Sequence, residues 1–109
     1  MSFLVAVATT DGKVVNEHFG RADSFYIMEL SENGHSFVEQ RKHSPVCGGG
    51  SHSDNAMKAR IALLSDCRAV LVSRAGPGAK QALSAGGIQV FELGLPVEDA
   101  LAQLREHLF

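Results

Sequence analysis

Apolar residues along this chain come first in short runs and later at three- and four-residue intervals. Residues 3–8 form a nearly continuous Val-rich run, the pattern of a strand buried on both faces. Thr9, Thr10, Asp11 and Gly12 give a turn, and Lys13-Val14-Val15 a short extended piece beyond it. Residues 24–30, with Phe25, Tyr26, Ile27 and Met28, predict a second strand. Asn33-Gly34 predicts a hairpin, because both residues tolerate positive φ. The returning strand covers 35–42 with Phe37 and Val38 near its centre. Its polar half, Glu39-Gln40-Arg41-Lys42, marks an edge strand whose charges discourage further pairing.

The period then changes. Residues 43–55 have no periodicity and contain three successive glycines, which predicts a long loop of the kind that carries function or is disordered. Ser53-Asp54 predicts the N-cap of a helix with Met57, Ile61 and Leu64 on one face and Lys58 and Arg60 off it. A buried strand over 68–72, a Gly/Pro loop over 73–78 and a helix closing at Gly86-Gly87 follow. The last strand covers 88–91. Pro96 opens a final helix striped by Val97, Ala100, Leu101, Leu104 and Leu108.

Hairpin-linked strands followed by alternating helix and strand predict one α/β domain over 1–109, with a mixed five-stranded sheet and three helices. Right-handed crossovers set the last two strands parallel to the first, a ribonuclease-H-like arrangement. If the first and third strands are parallel, the loops 9–23, 43–55 and 73–78 converge on one sheet edge, where sites form.

The formal net charge of −2 and the lack of a basic block argue against a general nucleic-acid or membrane-surface binder. No apolar run reaches the roughly 20 residues needed to span a bilayer. The N-terminus enters a strand pattern with no basic leader, so a cytoplasmic location is expected. Cys47 and Cys67 are then expected as free thiols.

The run from Asn16 to Ala22 carries a histidine, an aromatic ring, a glycine and an arginine in succession, between two strands. Imidazole offers a ring nitrogen to a metal, and loops on a rigid sheet are where function sits. The plainer alternative makes Phe19 a core anchor, Gly20 a turn residue and His18 a solvated side chain. Cys47 precedes three glycines, and a thiolate with an imidazole suits iron–sulfur or other thiophilic metals. Cys47 and His52 have no zinc-finger spacing and are too few for a closed site. A metal there needs His18 or His43 as well, or the site is open; otherwise the stretch is a surface segment with one cysteine. Cys67, at a helix-to-strand junction, reads as a buried structural thiol, and His35 and His107 as solvated. Arg21, Arg74 and Lys80 supply charge for an anion at the glycine-rich helix starts, although such residues are commonly just solvated. No Walker loop is present. The first strand holds no carboxylate, against a two-metal nuclease, and there is no Gly-x-Ser-x-Gly elbow.

The run from Val14 to Ala22, with Phe25 and Tyr26 after it, resembles the signature of the dinitrogenase iron–molybdenum cofactor biosynthesis family. Cys47-Gly48-Gly49, Leu64-Ser65-Asp66-Cys67 and Gly86-Gly87-Ile88 are similar to its NifX and NifB members, and the likeness covers essentially the whole chain. The resemblance implies a ribonuclease-H-like, non-enzymatic carrier of an iron–sulfur cofactor or precursor in nitrogenase FeMo-cofactor biosynthesis. It implies that His18 holds the cofactor, and that Cys47 places the chain with the cluster-binding members. His52 or His43 would complete the site, a role the resemblance does not itself assign, and Arg21 would offset cluster charge. Cofactor donor and acceptor proteins are the implied partners, with the chain a monomer or weak homodimer. The alternative is a cluster-free protein-interaction or regulatory domain of the same fold. A small-anion or nucleotide binder is a third reading.

Overall fold

The computed structural model describes residues 2–22, 24–42 and 53–109, with side chains from residue 58 onward in the first helix. Five strands and three helices lie among the described residues. They are β1 (Ser2–Ala8), β2 (Ser24–Ser31), β3 (Gly34–Lys42), α1 (Ser53–Leu63), β4 (Ala69–Val72), α2 (Pro77–Ala85), β5 (Gln89–Glu92) and α3 (Val97–Leu108). The sheet order is β3-β2-β1-β4-β5. β1 is antiparallel to β2 and β2 to β3, while β4 is parallel to both β1 and β5. β1, β3, β4 and β5 therefore all point their carboxyl ends to one edge. This is the mixed, ribonuclease-H-like sheet that the hydrophobic pattern predicts.

Period-two alternation sorts the side chains of each strand to two faces. Ala6, Ala8, Phe25, Ile27, Val70 and Val72 pack with Leu64, Ala79 and Leu83 from the α1–α2 side. Val5, Val7, Met28, Leu30, Ala69 and Leu71 pack under Val97, Ala100, Leu101 and Leu104 of α3. Burial on both faces explains why β1 and β4 read as unbroken apolar runs. β3 is exposed along most of its length, as an edge strand should be.

Two turns differ in detail from the sequence expectation. The β2–β3 hairpin is present, but Ser31 pairs with Gly34, so its two loop residues are Glu32 and Asn33. Neither has positive φ; among described residues only glycines do. The register is set by Met28 and Leu30 reaching the core, and it draws Gly34 into the strand as its first residue. A bulge opposite Ile27 and Met28 then leaves Val38 as an extra residue on β3. The helix α1 already includes Ser53 and Asp54, so these residues lie inside it and do not precede it. No described helix is long and apolar enough to cross a membrane.

Candidate functional site

The connection from β1 to β2 is built on two devices. In the first, the Thr9 hydroxyl donates to the Val14 carbonyl (2.6 Å) and accepts from the Gly12 N–H (3.0 Å). The Asp11 carboxylate accepts from the Lys13 N–H (2.9 Å), which holds its pKa below the usual range. Gly12 sits at φ +77°, and a Cβ there would lie 2.7 Å from the Tyr26 ring, so only glycine fits. The Val14-Val15 piece pairs across the sheet end: Val15 N–H donates to Leu95 O (2.9 Å), and Val97 N–H to Lys13 O (2.8 Å).

The second device seats the histidine. Glu17 N–H donates to Ala8 O (3.3 Å), and Glu17 O accepts from Ser73 N–H (3.0 Å). Phe19 N–H donates to Arg74 O (3.0 Å), giving a parallel bridge between His18 and Arg74. The backbone on either side of His18 is thus tied to the carboxyl ends of β1 and β4. Those are neighbouring parallel strands whose connections leave in opposite directions, the position where α/β sheets open a crevice. Phe19 is fully buried, its ring 5.8 Å from that of Phe25, and anchors a single 3-10 turn over Phe19–Arg21. Arg60 of α1 donates to Ala22 O (3.0 Å) and closes the turn from behind. His18 itself is exposed and makes no side-chain hydrogen bond among the described residues, and Gly20, Arg21 and Arg74 are exposed around it. The anchor reading of Phe19 and the presentation of His18 are therefore compatible.

Lys80 is engaged elsewhere. Its ammonium lies 2.6 Å from Glu92, whose other carboxylate oxygen accepts from the Ala75 N–H (3.0 Å). These partners, Lys80 first, lower the Glu92 pKa. Of the three cations expected near an anion, Arg21 and Arg74 are left without a described ion pair.

Cys47, His43 and His52 lie outside the described residues. Among those described, no three His, Cys, Asp or Glu side chains gather as a metal site. Cys67 is buried, and desolvation pushes its thiol up to about 12, as befits a structural cysteine. His35 and His107 are exposed, and the His107 ring stands edge-on to Phe91.

Sequence reasoning missed Arg41. Its side chain is only 17% exposed. It grips both oxygens of Asp66 (2.6 and 2.8 Å), donates to Glu39 and to the Leu63 carbonyl at the end of α1 (2.9 Å). This latch ties the outgoing end of β3 to the outgoing end of α1. Hydrogen bonding to Arg41 holds the Asp66 carboxyl below its ordinary range. Nothing local in Glu39-Gln40-Arg41-Lys42 signals a partner twenty-five residues away.

The chain is 38% identical over 108 residues to a FeMo cofactor biosynthesis protein NifB from Frankia alni, covering 96% of this chain and 21% of that protein. The NifB of Herbaspirillum seropedicae is 42% identical over 89 residues (82% and 17%), and that of Chlorobaculum tepidum 39% over 99 (89% and 22%). The chain thus spans about a fifth of the length of these relatives. In fold it is similar to the crystal structure of PH0822, with TM-score 0.71 at 20% identity over 95% of this chain and 91% of that one. It also resembles mj0327 from Methanocaldococcus jannaschii, with TM-score 0.62 at 13% identity (98% and 91%). The family model described as dinitrogenase iron-molybdenum cofactor matches residues 1–107, and the chain belongs to that family.

Proposed function

We propose that this domain is a non-enzymatic carrier that binds an iron–sulfur cofactor or its precursor during FeMo-cofactor biosynthesis. The observation that supports it is the seat of His18: an exposed imidazole on a backbone tied to two parallel strands and anchored by Phe19. A metal cargo needs such a fixed, accessible nitrogen, and a carrier needs an open site from which the cargo can leave. Arg21 and Arg74 beside it suit a cluster of negative charge. His18 would ligate iron and Cys47 would supply a thiolate, with His43 or His52 as further donors. Lys42 ends β3 on the same sheet edge, and Cys47 follows five residues later. Five residues reach at most about 17 Å, whereas β3 stands two strand spacings, roughly 10 Å, from β1. The thiol is thus within chain reach of the imidazole. NifB-named relatives match over 96% and 82% of this chain, which supports cofactor assembly proteins as donor and acceptor.

Anaerobic titration of the metal-free protein with an iron–sulfur cofactor, followed by visible absorption, tests the assignment. His18→Ala and Cys47→Ala should each weaken binding. Undiminished binding in both variants defeats the ligand assignment, and no binding by the parent protein defeats the carrier role.

A further inference from the structure

The two sheet faces are covered unequally. Among the described residues, α1 and α2 lie on one face and α3 alone on the other. A helix with its side chains is about 10 Å wide and strands lie about 4.8 Å apart, so one helix shields roughly two strands. The α3 stripe packs on Val5, Val7, Met28, Leu30, Ala69 and Leu71 of β1, β2 and β4. On the β5 side, Phe91, Leu93, Leu95 and Leu108 complete the layer. On the β3 side, beyond the buried Met28 and Leu30 of β2, the face is open among the described residues. There Phe37, opposite Met28 in the register and hence on the same face, is 56% exposed with its ring 5.6 Å from Tyr26. Two adjoining hollows of about 470 and 270 Å³ share Gly12, Met28 and Val97 in their walls. Tyr26 and Phe37 line the smaller one, whose wall is mainly apolar.

The rim carries charge of one dominant sign. Glu98 and Asp99, from the first turn of α3, border the larger hollow, and Asp11 borders the smaller. Against these three carboxylates stand Lys13 and the imidazole of His35. Asp11 is fixed by backbone N–H groups, so its charge is held in place. A mainly apolar floor in the smaller hollow with an acidic border selects a complementary shape and sign.

We propose that this groove docks an amphipathic helix of a partner protein, its apolar stripe against Tyr26, Met28, Phe37 and Val97 and a lysine- or arginine-rich flank toward Asp11, Glu98 and Asp99. The partner helix lies alongside the first turn of α3 and covers the exposed ring of Phe37. The groove begins at the turn directly after β1, so a partner seated there stands beside the carboxyl edge that presents His18. The docking itself requires no cluster and is independent of the carrier reading.

The test uses the metal-free full chain, isotope-labelled for NMR, and two synthetic helical peptides with one identical leucine stripe. One is flanked by lysines and the other by glutamates. The lysine peptide should shift the amides of Gly12, Tyr26, Met28, Phe37 and Val97, and the glutamate peptide should bind at least about tenfold more weakly. Phe37→Ala should cost the lysine peptide roughly tenfold in affinity, as loss of one aromatic anchor does. Glu98→Lys combined with Asp99→Lys should reverse the preference between peptides, with a modest fall in the thermal midpoint because two cations then oppose the dipole at the start of α3. Equal binding of both peptides, shifts confined to other surfaces, or no binding of either overturns the proposal. Concentration-dependent dimerisation through these same amides without peptide also overturns it, because the occupant is then a second copy.

Discussion

Removing the Phe19 ring separates an anchored histidine from one that merely lies in a surface turn. Phe19 is fully buried against Phe25 and Ala22, in the cluster that spans the α1–α2 side of the sheet. Phe19→Ala loses the transfer energy of the ring and leaves a cavity, together about 3–5 kcal/mol. A domain of this size has about 5–15 kcal/mol in total, so the variant stays folded but marginal. With a urea slope of about 1.5 kcal/mol per molar, the midpoint falls by roughly 2–3 M at unchanged slope. Phe37→Ala is the internal comparison, because that ring is more than half exposed and its loss should stay within about 0.5 kcal/mol. Native-state hydrogen exchange supplies the local readout. The Phe19 amide, which donates to Arg74 O, should lose protection beyond what the global destabilisation explains. Equal midpoints for the two variants, or a Phe19→Ala loss below about 1 kcal/mol, would refute the claim that Phe19 holds the histidine turn.

Gly12→Ala should destabilise by about 2 kcal/mol, from the left-handed backbone and the approach to Tyr26, lowering the thermal midpoint by roughly 10 °C. Gly20→Ala, with open space at its Cβ and no left-handed φ, should be neutral or slightly stabilising. The Asp66 carboxyl is lowered mainly by its bond to Arg41, so its contribution is present above about pH 4 and fades as pH falls through the folded value. Because Asp66 is half exposed, that contribution is about 1 kcal/mol or less, and the stability gap between parent and Asp66→Asn should close on acidification. A gap that is constant from pH 7 to about pH 3 contradicts the latch. Cys67 titrates in the opposite sense: its folded pKa, raised chiefly by burial, exceeds that of the unfolded thiol, so stability is lost as pH rises above about 8.5. The parent should lose roughly 1–2 kcal/mol relative to Cys67→Ala by about pH 10. Denaturation series at both pH values measure this.

The elements were legible because each has a strong period and a matching boundary residue. Continuous Val-rich runs gave β1 and β4, the α3 stripe was complete, and the polar end of β3 marked it as an edge. Asn33-Gly34 located a hairpin but not its turn, because core register, not turn preference, chose which residues form the loop. Phe19 as anchor and Cys67 as buried thiol were readable from residue type and position. The Arg41–Asp66 latch, the Lys80–Glu92 pair and the pairing of Val14 with Pro96 were not. Each joins segments distant in sequence, and a single charge or valine carries no mark of a remote partner. For the same reason the seating of His18 against Arg74 was invisible, although the histidine itself stood out.

The bond pattern at Glu17 has a consequence for how the protein is made. Its N–H meets Ala8 at the end of β1, while its carbonyl meets Ser73 just past β4. Val5 of β1 pairs with Ala69, about 64 residues further on, so these neighbours are brought together by one of the longest closures in the chain. The three-strand meander can assemble as soon as it leaves the ribosome, yet it holds the histidine without its seat. Any ligand that needs that seat must wait until Ser73 and Arg74 are in place, and once bound it favours only the folded domain.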